Sequence, residues 1–460
     1  MLAAGVPFSF FVKLNRKARQ ARQGKTNTAP FRRFPGFLVT SGGMAKTGMN
    51  IGMISTRLAG TDGVSLEAAK LAFVLAHLGH TVYFCAGELA PEWPGLLAPE
   101  LHFMDRVALD LQKRAFGSAG YDAELVAEIG KRAQELKRPL TAFLQQYQID
   151  YVIAQNVFAI PMQLPLGQAL AEILQETGLP ALAHNHDFYW ERPRFATHCL
   201  GDFLDKYFPP HLPNLRHAVI NSAAQRALQA RRGIESVFLP NVFHFEEPPP
   251  PPDAFGADFR QAIGLAEEDW LILQPTRVVP RKGIELAIEL VARLRDPRAK
   301  LVITHHAGDE GLDYLRQLQQ LAAAQQVDLR YVADRVSDTR QTLADGRKIY
   351  TLWDTYPHAD FVTYPSLYEG FGNALLETVY FRKPALVNRY SVYAADIAPC
   401  GFRFVEIEGA VTEEAVTAVR DLLTHPAKIP PLTDHNYRIG LKHFSYGVLE
   451  RILASLLPPV

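Results

Sequence analysis

At 460 residues the chain is too long for one ordinary hydrophobic core, so two domains are expected. Its 48% apolar and 21% charged residues describe a soluble globular protein, and 48 basic against 48 acidic side chains leave no net field to attract nucleic acid or an anionic membrane. Three scattered cysteines, Cys85, Cys199 and Cys400, supply neither a disulfide framework nor a CxxC metal site, which suits a reducing, cytoplasmic setting, and no apolar run reaches the ~18 residues of a membrane span.

Residues 1–48 carry Lys13, Arg16, Lys17, Arg19, Arg22, Lys25, Arg32, Arg33 and Lys46 and no acid; Asp62 is the first carboxylate. Such composition supports no core, and reads as a disordered extension or as a start placed upstream of Met44 or Met49, with a basic targeting tail as the rival. From Met49 the pattern changes. Residues 50–55 read as a buried strand, 57–63 as a loop, 64–78 as a helix and 81–86 as the next strand, a βαβ unit and so a parallel sheet. Residues 105–148 read as polar helix, an excursion from the sheet. Further strands are expected at 151–154, 180–184 and 218–221.

Glu246 and Glu247 are followed by five prolines, 248–252, and Asp253. Such a run joins no helix or central strand and favours stiff polyproline II, so 246–253 is read as a linker. It divides a domain at 49–245 from one at 254–435. In the second, strands are expected at 270–274, 300–304, 329–333, 361–364 and 385–388, with helices at 283–295, 311–325, 373–382 and 412–424. The fold class is α/β: two doubly wound, Rossmann-like domains facing a central cleft, with ligands at the carboxyl ends of the strands. The segment 436–460 closes the chain with an amphipathic helix, a candidate to pack back across the domain junction.

The strongest motif is Tyr364-Pro-Ser-Leu-Tyr-Glu369-Gly-Phe-Gly-Asn-Ala-Leu-Leu-Glu377. A strand ends, a loop with Gly370 and Gly372 follows, and a helix opens near Asn373. Glycines admit close approach to a ligand, and helix N-terminal amides suit a phosphate. Two carboxylates so placed can bind sugar and ribose hydroxyls. The plain alternative, a capping loop with solvated acids, is weakened by the strand before it and the glycines between. In Leu271-Ile-Leu-Gln-Pro-Thr-Arg277-Val-Val-Pro-Arg-Lys282-Gly, Arg277 and Lys282 follow a strand and can neutralise a diphosphate leaving group, with Arg281 competing; the alternative is a solvated basic turn.

In Ala181-Leu-Ala-His184-Asn-His186-Asp187-Phe-Tyr-Trp-Glu191, two histidines end a first-domain strand. His-x-His is a metal-ligand spacing, but no third and fourth ligand stand beside it, so no metal is expected. One histidine can be core packing, and the aromatic run suits a sugar. Gly60 and Gly63, around Thr61-Asp62, lack the dinucleotide fingerprint and remain an acceptor or phosphate loop, or a plain turn. His305-His306 ends a strand, either facing the cleft or standing aside.

Together these motifs resemble the retaining glycosyltransferases of family 4, which have the GT-B fold, from Met49 to the C-terminus. The E-x7-E segment and Arg277/Lys282 carry most of the resemblance, and Leu239-Pro-Asn241 is similar to the family's junction before its inter-domain linker. The resemblance implies Arg277 and Lys282 on the donor diphosphate, Glu369 on the donor sugar and Glu377 on the ribose. Gly370, Phe371, Gly372, Asn373 and Ala374 would complete donor binding. His186 would stand at the reacting sugar, with His184 the other candidate and Asp187 beside them. It also implies a UDP-, GDP- or ADP-sugar as the small-molecule donor, an acceptor hydroxyl leading to a glycosylated compatible solute or a glycan, and no required cofactor or metal. Within the family, Ser65-Leu-Glu67, His186-Asp-Phe-Tyr-Trp-Glu-Arg192 and Asn388-Arg-Tyr-Ser-Val-Tyr393 look similar to enzymes making mannosylglucosylglycerate-type compatible solutes. His305-His306 departs from the small residue or glycine of many relatives. The reaction expected is hexose transfer to an acceptor hydroxyl with the anomeric configuration kept. A nucleotide-sugar epimerase of the same fold and a silent sugar-nucleotide-binding regulator are the rivals. Nothing in the sequence specifies an oligomeric state.

Overall fold

The computed structural model describes residues 48–60, 62–307 and 312–458. The basic extension expected at 1–48 lies outside the described residues, apart from Gly48.

Seven parallel strands form the first sheet: β1 Asn50–Ser55, β2 Thr81–Ala86, β3 Gly95–Leu97, β4 Tyr151–Gln155, β5 Ala181–Asn185, β6 Leu215–Val219 and β7 Val237–Phe238. Their order is β3-β2-β1-β4-β5-β6-β7, so the winding reverses between β1 and β4. The second sheet uses β8 Trp270–Gln274, β9 Ala299–Ile303, β10 Asp328–Tyr331, and, after a small hairpin of β11 Gln341–Thr342 and β12 Lys348–Ile349, β13 Phe361–Tyr364, β14 Ala385–Asn388 and β15 Val405–Ile407. Its order, β10-β9-β8-β13-β14-β15, reverses between β8 and β13. A reversal point opens a crevice at the carboxyl ends of the two strands that flank it.

Strand periodicity explains why both sheets are covered on both faces. In β1, Ile51 and Met53 join one cluster while Ile54 joins the other. In β8, Leu271 and Leu273 face one core, Trp270 and Ile272 the second. The stretch expected as an excursion is instead part of this cover. It forms helices Arg106–Ala115 and Ala123–Gln146, and Leu125, Ile129, Ala133, Leu136, Leu140 and Phe143 give the longer one a buried stripe. The polar residues that suggested an excursion are its outer face.

Two other expectations change. The strand expected at 218–221 runs Leu215–Val219, because Asn221 caps the next helix, accepting from Ala224 N at 2.7 Å. The single closing helix is two, Ile429–His443 and Tyr446–Leu456. The break is pinned by long-range contacts: Phe243 N donates to Phe444 O at 2.8 Å, and the Glu246 carboxylate accepts from Gly447 N at 2.7 Å. Tyr437 stays with the second domain's core, while Tyr446, Leu449, Leu453 and Leu456 pack on the first sheet. The chain therefore crosses back and clamps both domains. Among the described residues no helix is long and apolar enough to cross a membrane.

Candidate functional site

The second domain brings two loops together at its reversal point. After β8 the chain passes Arg277, half-buried, and makes a short turn at Pro280–Lys282. Gly283 then takes φ +58°, and a Cβ there would stand 2.5 Å from Pro365 O, so only glycine lets this loop close on the one after β13. Leu367 N donates to Arg281 O at 2.8 Å and stitches the two. The Glu369 carboxylate is thereby buried among donors. Arg281 Nη1 lies 3.0 Å from Oε2, Lys282 Nζ bonds Oε1, and Tyr364 OH donates to Oε1 at 2.9 Å. Burial works to raise the Glu369 pKa, but the charges of Lys282 and Arg281 and the hydrogen bond of Lys282 outweigh it and hold the group at about 2. Burial also lowers Lys282, against the pull of Glu369. His305, beyond β9, belongs to the same corner: burial, Lys282 and Arg277 push it down to about 3.

Gly372 takes φ +138°, and a Cβ there would meet Tyr390 OH at 2.5 Å. Tyr390 OH instead donates to Phe371 O at 2.6 Å, and Asn388 Nδ2 to Ser366 O at 3.0 Å, so β14 and its loop brace the glycine segment from behind. The helix Asn373–Tyr380 starts without a side-chain cap. Glu377 lies one turn along it and is fully buried. Its Oε2 is 3.4 Å from Tyr356 OH, and Oε1 has no partner among the described residues. Burial raises its pKa to about 7, against the opposing charge of Lys70 and the hydrogen bond of Tyr356.

The two histidines are not equivalent. His184 lies within β5, buried, with Nδ1 2.9 Å from Gln155 Oε1. His186 follows the strand, its amide held at 3.0 Å by Asn156 Oδ1, and its Nε2 is buried without a partner among the described residues. Their ring centres are 4.6 Å apart. Burial lowers both, His184 well below the usual histidine range. A Cβ on Gly370 would come 3.9 Å from His186 O, so His186 and the glycine loop meet across the cleft. Asp187 pairs with Arg192, accepting from Nε at 2.7 Å. At Gly60 and Gly63 the helix Gly63–His77 carries its own anion: Asp62 accepts from Val64 N at 3.0 Å and Ser65 N at 3.2 Å. Those two amides already hold a carboxylate, and open space stands before both glycines.

The cleft is closed by polar contacts that local motifs did not reveal. Asn221 Nδ2 donates to Gly370 O at 3.0 Å, and Tyr368 OH to Glu191 Oε2 at 3.2 Å. Asn241 Nδ2 donates to Asn373 Oδ1 at 2.7 Å, and Asn373 Nδ2 to Glu67 Oε1 at 3.1 Å. Asn241 belongs to the Pro-Asn junction noted in the sequence, and Glu67 to the Ser65-Leu-Glu67 segment noted only for its resemblance; Lys70, Tyr356 and Asn156 carried no signal of site membership. Among the described residues no group of three or more His, Cys, Asp or Glu is placed to hold a metal ion.

The model of the glycosyl transferases group 1 family matches residues 257–430, the second domain with both loops. The mannosylglucosylglycerate synthase of Thermotoga maritima is 31% identical over 445 residues, 89% of this chain and 100% of the relative. That of Petrotoga mobilis is 31% identical over 381 residues, 78% of this chain and 86% of the relative. Among solved structures, HepE from Anabaena in complex with UDP and glucose aligns at a TM-score of 0.60 with 15% identity, covering 88% of this chain and 98% of HepE. Sucrose-phosphate synthase from Thermosynechococcus elongatus aligns at 0.60 with 14% identity, covering 89% and 98%. At such identities these two neighbours speak for the fold. With two reversal-point crevices face to face and relatives matched along almost their whole length, the chain belongs to the family-4-like glycosyltransferases of the GT-B fold.

Proposed function

We propose that this glycosyltransferase moves a hexose from a nucleoside-diphosphate sugar to an acceptor hydroxyl, with retention, in the making of a mannosylglucosylglycerate-type solute. One observation carries the reading: the loops after β8 and β13 bring Arg281 and Lys282 onto Glu369, with Arg277 on the first loop and Glu377 on the helix that follows the second, opposite His186, whose Nε2 has no partner among the described residues. HepE, solved with UDP-glucose, and the two synthases point to the same donor class and to the solute. Arg277 and Lys282 receive the diphosphate, Lys282 standing between it and Glu369. Glu377 takes the ribose hydroxyls on its unpaired oxygen. The amides from Gly370 to Ala374 hold the donor, and Gly60 and Gly63 line the acceptor side. His186 donates to or accepts from a sugar hydroxyl.

In the reaction the bond from the anomeric carbon to the phosphate oxygen breaks, and a bond to the acceptor oxygen forms on the same face. The acceptor proton passes to the departing phosphate. Glu369 is held by two cations and Glu377 lies at the nucleotide end, so neither is offered as a covalent nucleophile, and the protein contributes placement and charge. The test is a panel of UDP-, GDP- and ADP-hexoses with and without glycerate-type acceptors. Diphosphate release should require one donor and an acceptor. An isomerised sugar without acceptor would make the protein an epimerase, and binding without turnover a regulator.

Arg277→Ala and Lys282→Ala should each weaken nucleoside diphosphate binding by about ten- to a hundred-fold, as loss of a charge-assisted contact of about 1.5–3 kcal/mol implies. Calorimetry with unchanged UDP, GDP and ADP affinities would remove both from the donor site. Turnover should persist in excess EDTA after dialysis, since among the described residues His184 and His186 have no third His, Cys, Asp or Glu placed to complete a metal site; loss of activity that a divalent ion restores would contradict this.

A further inference from the structure

The helix Gly63–His77 of the first domain buries an ion pair that none of the roles above uses. Lys70 Nζ lies 2.6 Å from Glu67 Oε1, with side chains 1% and 2% exposed. Removing two charges from water costs several kcal/mol each, so such a pair is a poor device for stability alone. Its contacts point across the cleft. Lys70 Nζ donates to Val242 O at 2.8 Å, at the start of the inter-domain passage. The same Glu67 oxygen accepts from Asn373 Nδ2 at 3.1 Å, and Asn373 is the first residue of the helix that carries Glu377. Residues four apart share one helix face, so Asn373 and Glu377 present themselves to the same neighbour. Asn241 completes the ring by holding the other end of the Asn373 amide.

We propose that Glu67 and Lys70 are positioning residues for the donor: Glu67 sets the start of the Glu377 helix through Asn373, and Lys70, held by Glu67 and the Val242 carbonyl, sets its ammonium on the Glu377 side of the cleft as the counter-charge of the ribose carboxylate. This rests on the donor site proposed above. Its consequence is that the nucleotide-binding carboxylate of one domain depends on a cation of the other, so nucleotide affinity is coupled to the closed cleft. The titratable groups facing Glu377 are Lys70 from the first-domain helix and Tyr356 from the turn before β13, with Glu67 behind Lys70. Lys70 is the cation whose charge favours the ionised form of Glu377, against burial.

The experiment is calorimetry of UDP, GDP and ADP binding from pH 6 to 9. It uses the full chain and its variants Lys70→Met, Glu67→Gln/Lys70→Met, Glu377→Gln and Glu377→Gln/Lys70→Met. In the unaltered protein affinity should rise through about pH 7 and then level. Lys70→Met should move that rise upward by about one unit, a loss of about fivefold at pH 7 that approaches about tenfold at pH 6 and is recovered by pH 9. The double variant removes both charges of the pair and carries the same test of the midpoint if Lys70→Met does not fold; neutralising the Glu67 contact with Asn373 should add a further loss at every pH. In the Glu377→Gln background, which also subtracts the titration of the nucleotide, Lys70→Met should shift nothing. An unmoved midpoint in Lys70→Met, or in Glu67→Gln/Lys70→Met where the single variant does not fold, would overturn the proposal and leave the pair structural. Failure of the unaltered protein to bind any of the three diphosphates would instead overturn the donor site itself.

Discussion

Glu377→Gln is expected to strengthen the empty fold while weakening nucleotide binding. Glu377 is fully buried, with one oxygen unpartnered among the described residues, and its pKa stands at about 7 against an ordinary 4.5. A folded value above the unfolded one means that the native state keeps a proton the unfolded chain has already released between those two pH values. Stability is then full below about pH 4.5 and falls as pH rises through about 7. The gap corresponds to a ceiling of about 3 kcal/mol at pH 8. Glutamine fills the same volume without the charge, so denaturant unfolding at pH 8 should show a more stable apo protein, with the gain fading towards pH 5. Nucleoside diphosphate affinity should fall by about ten- to a hundred-fold at pH 8, since a charge-assisted contact becomes a neutral one. Lower stability together with unchanged affinity would mean that the carboxylate serves the core and not a ligand.

Glu369→Gln should act in the opposite sense on the fold. Its pKa of about 2 lies below the ordinary 4.5, so its contribution is present above about pH 4.5 and is lost as pH falls through about 2. Glutamine leaves the buried Lys282 ammonium and the Arg281 guanidinium without their counter-charge, and breaking a buried pair in this way costs about 3–5 kcal/mol. The freed Lys282 still faces the diphosphate, so nucleotide affinity should hold, and ligand should restore much of the lost melting temperature. Turnover should fall on the order of a hundredfold or more, because the contact with the sugar matters as charge develops there. Paired measurements of kcat and diphosphate affinity separate this from the converse assignment, in which affinity collapses and kcat is kept.

What was legible in the sequence follows from how local each signal is. Strands β1, β2, β8, β13 and β14 were bounded by their own apolar runs and turn residues. The three residues Gly95–Leu97 and the pair Val237–Phe238 join the sheet only because a neighbouring strand offers its edge, so no run marks them. The break between the closing helices is made by Phe243 and Glu246, some two hundred residues earlier. The same division holds at the cleft. Glu369, the glycines and Glu377 fall within nine consecutive residues and announce themselves. Arg281 was visible beside Lys282, but its pairing with Glu369 depends on two loops meeting at Gly283. Glu67 reaches Asn373 across 306 residues, and a Glu and a Lys three apart on a helix look like an ordinary surface pair until the second domain covers them.

The central claim is transfer with retention from a nucleotide sugar. Its most direct test is proton NMR of the reaction mixture at early times, with the active α-linked nucleoside-diphosphate hexose and its acceptor. The account predicts one nucleoside diphosphate released for each new glycosidic bond, and an anomeric proton with the small coupling constant or one-bond carbon coupling of an α-linked product. A β-linked product at the earliest time points, or a sugar converted without any bond to the acceptor, would contradict it.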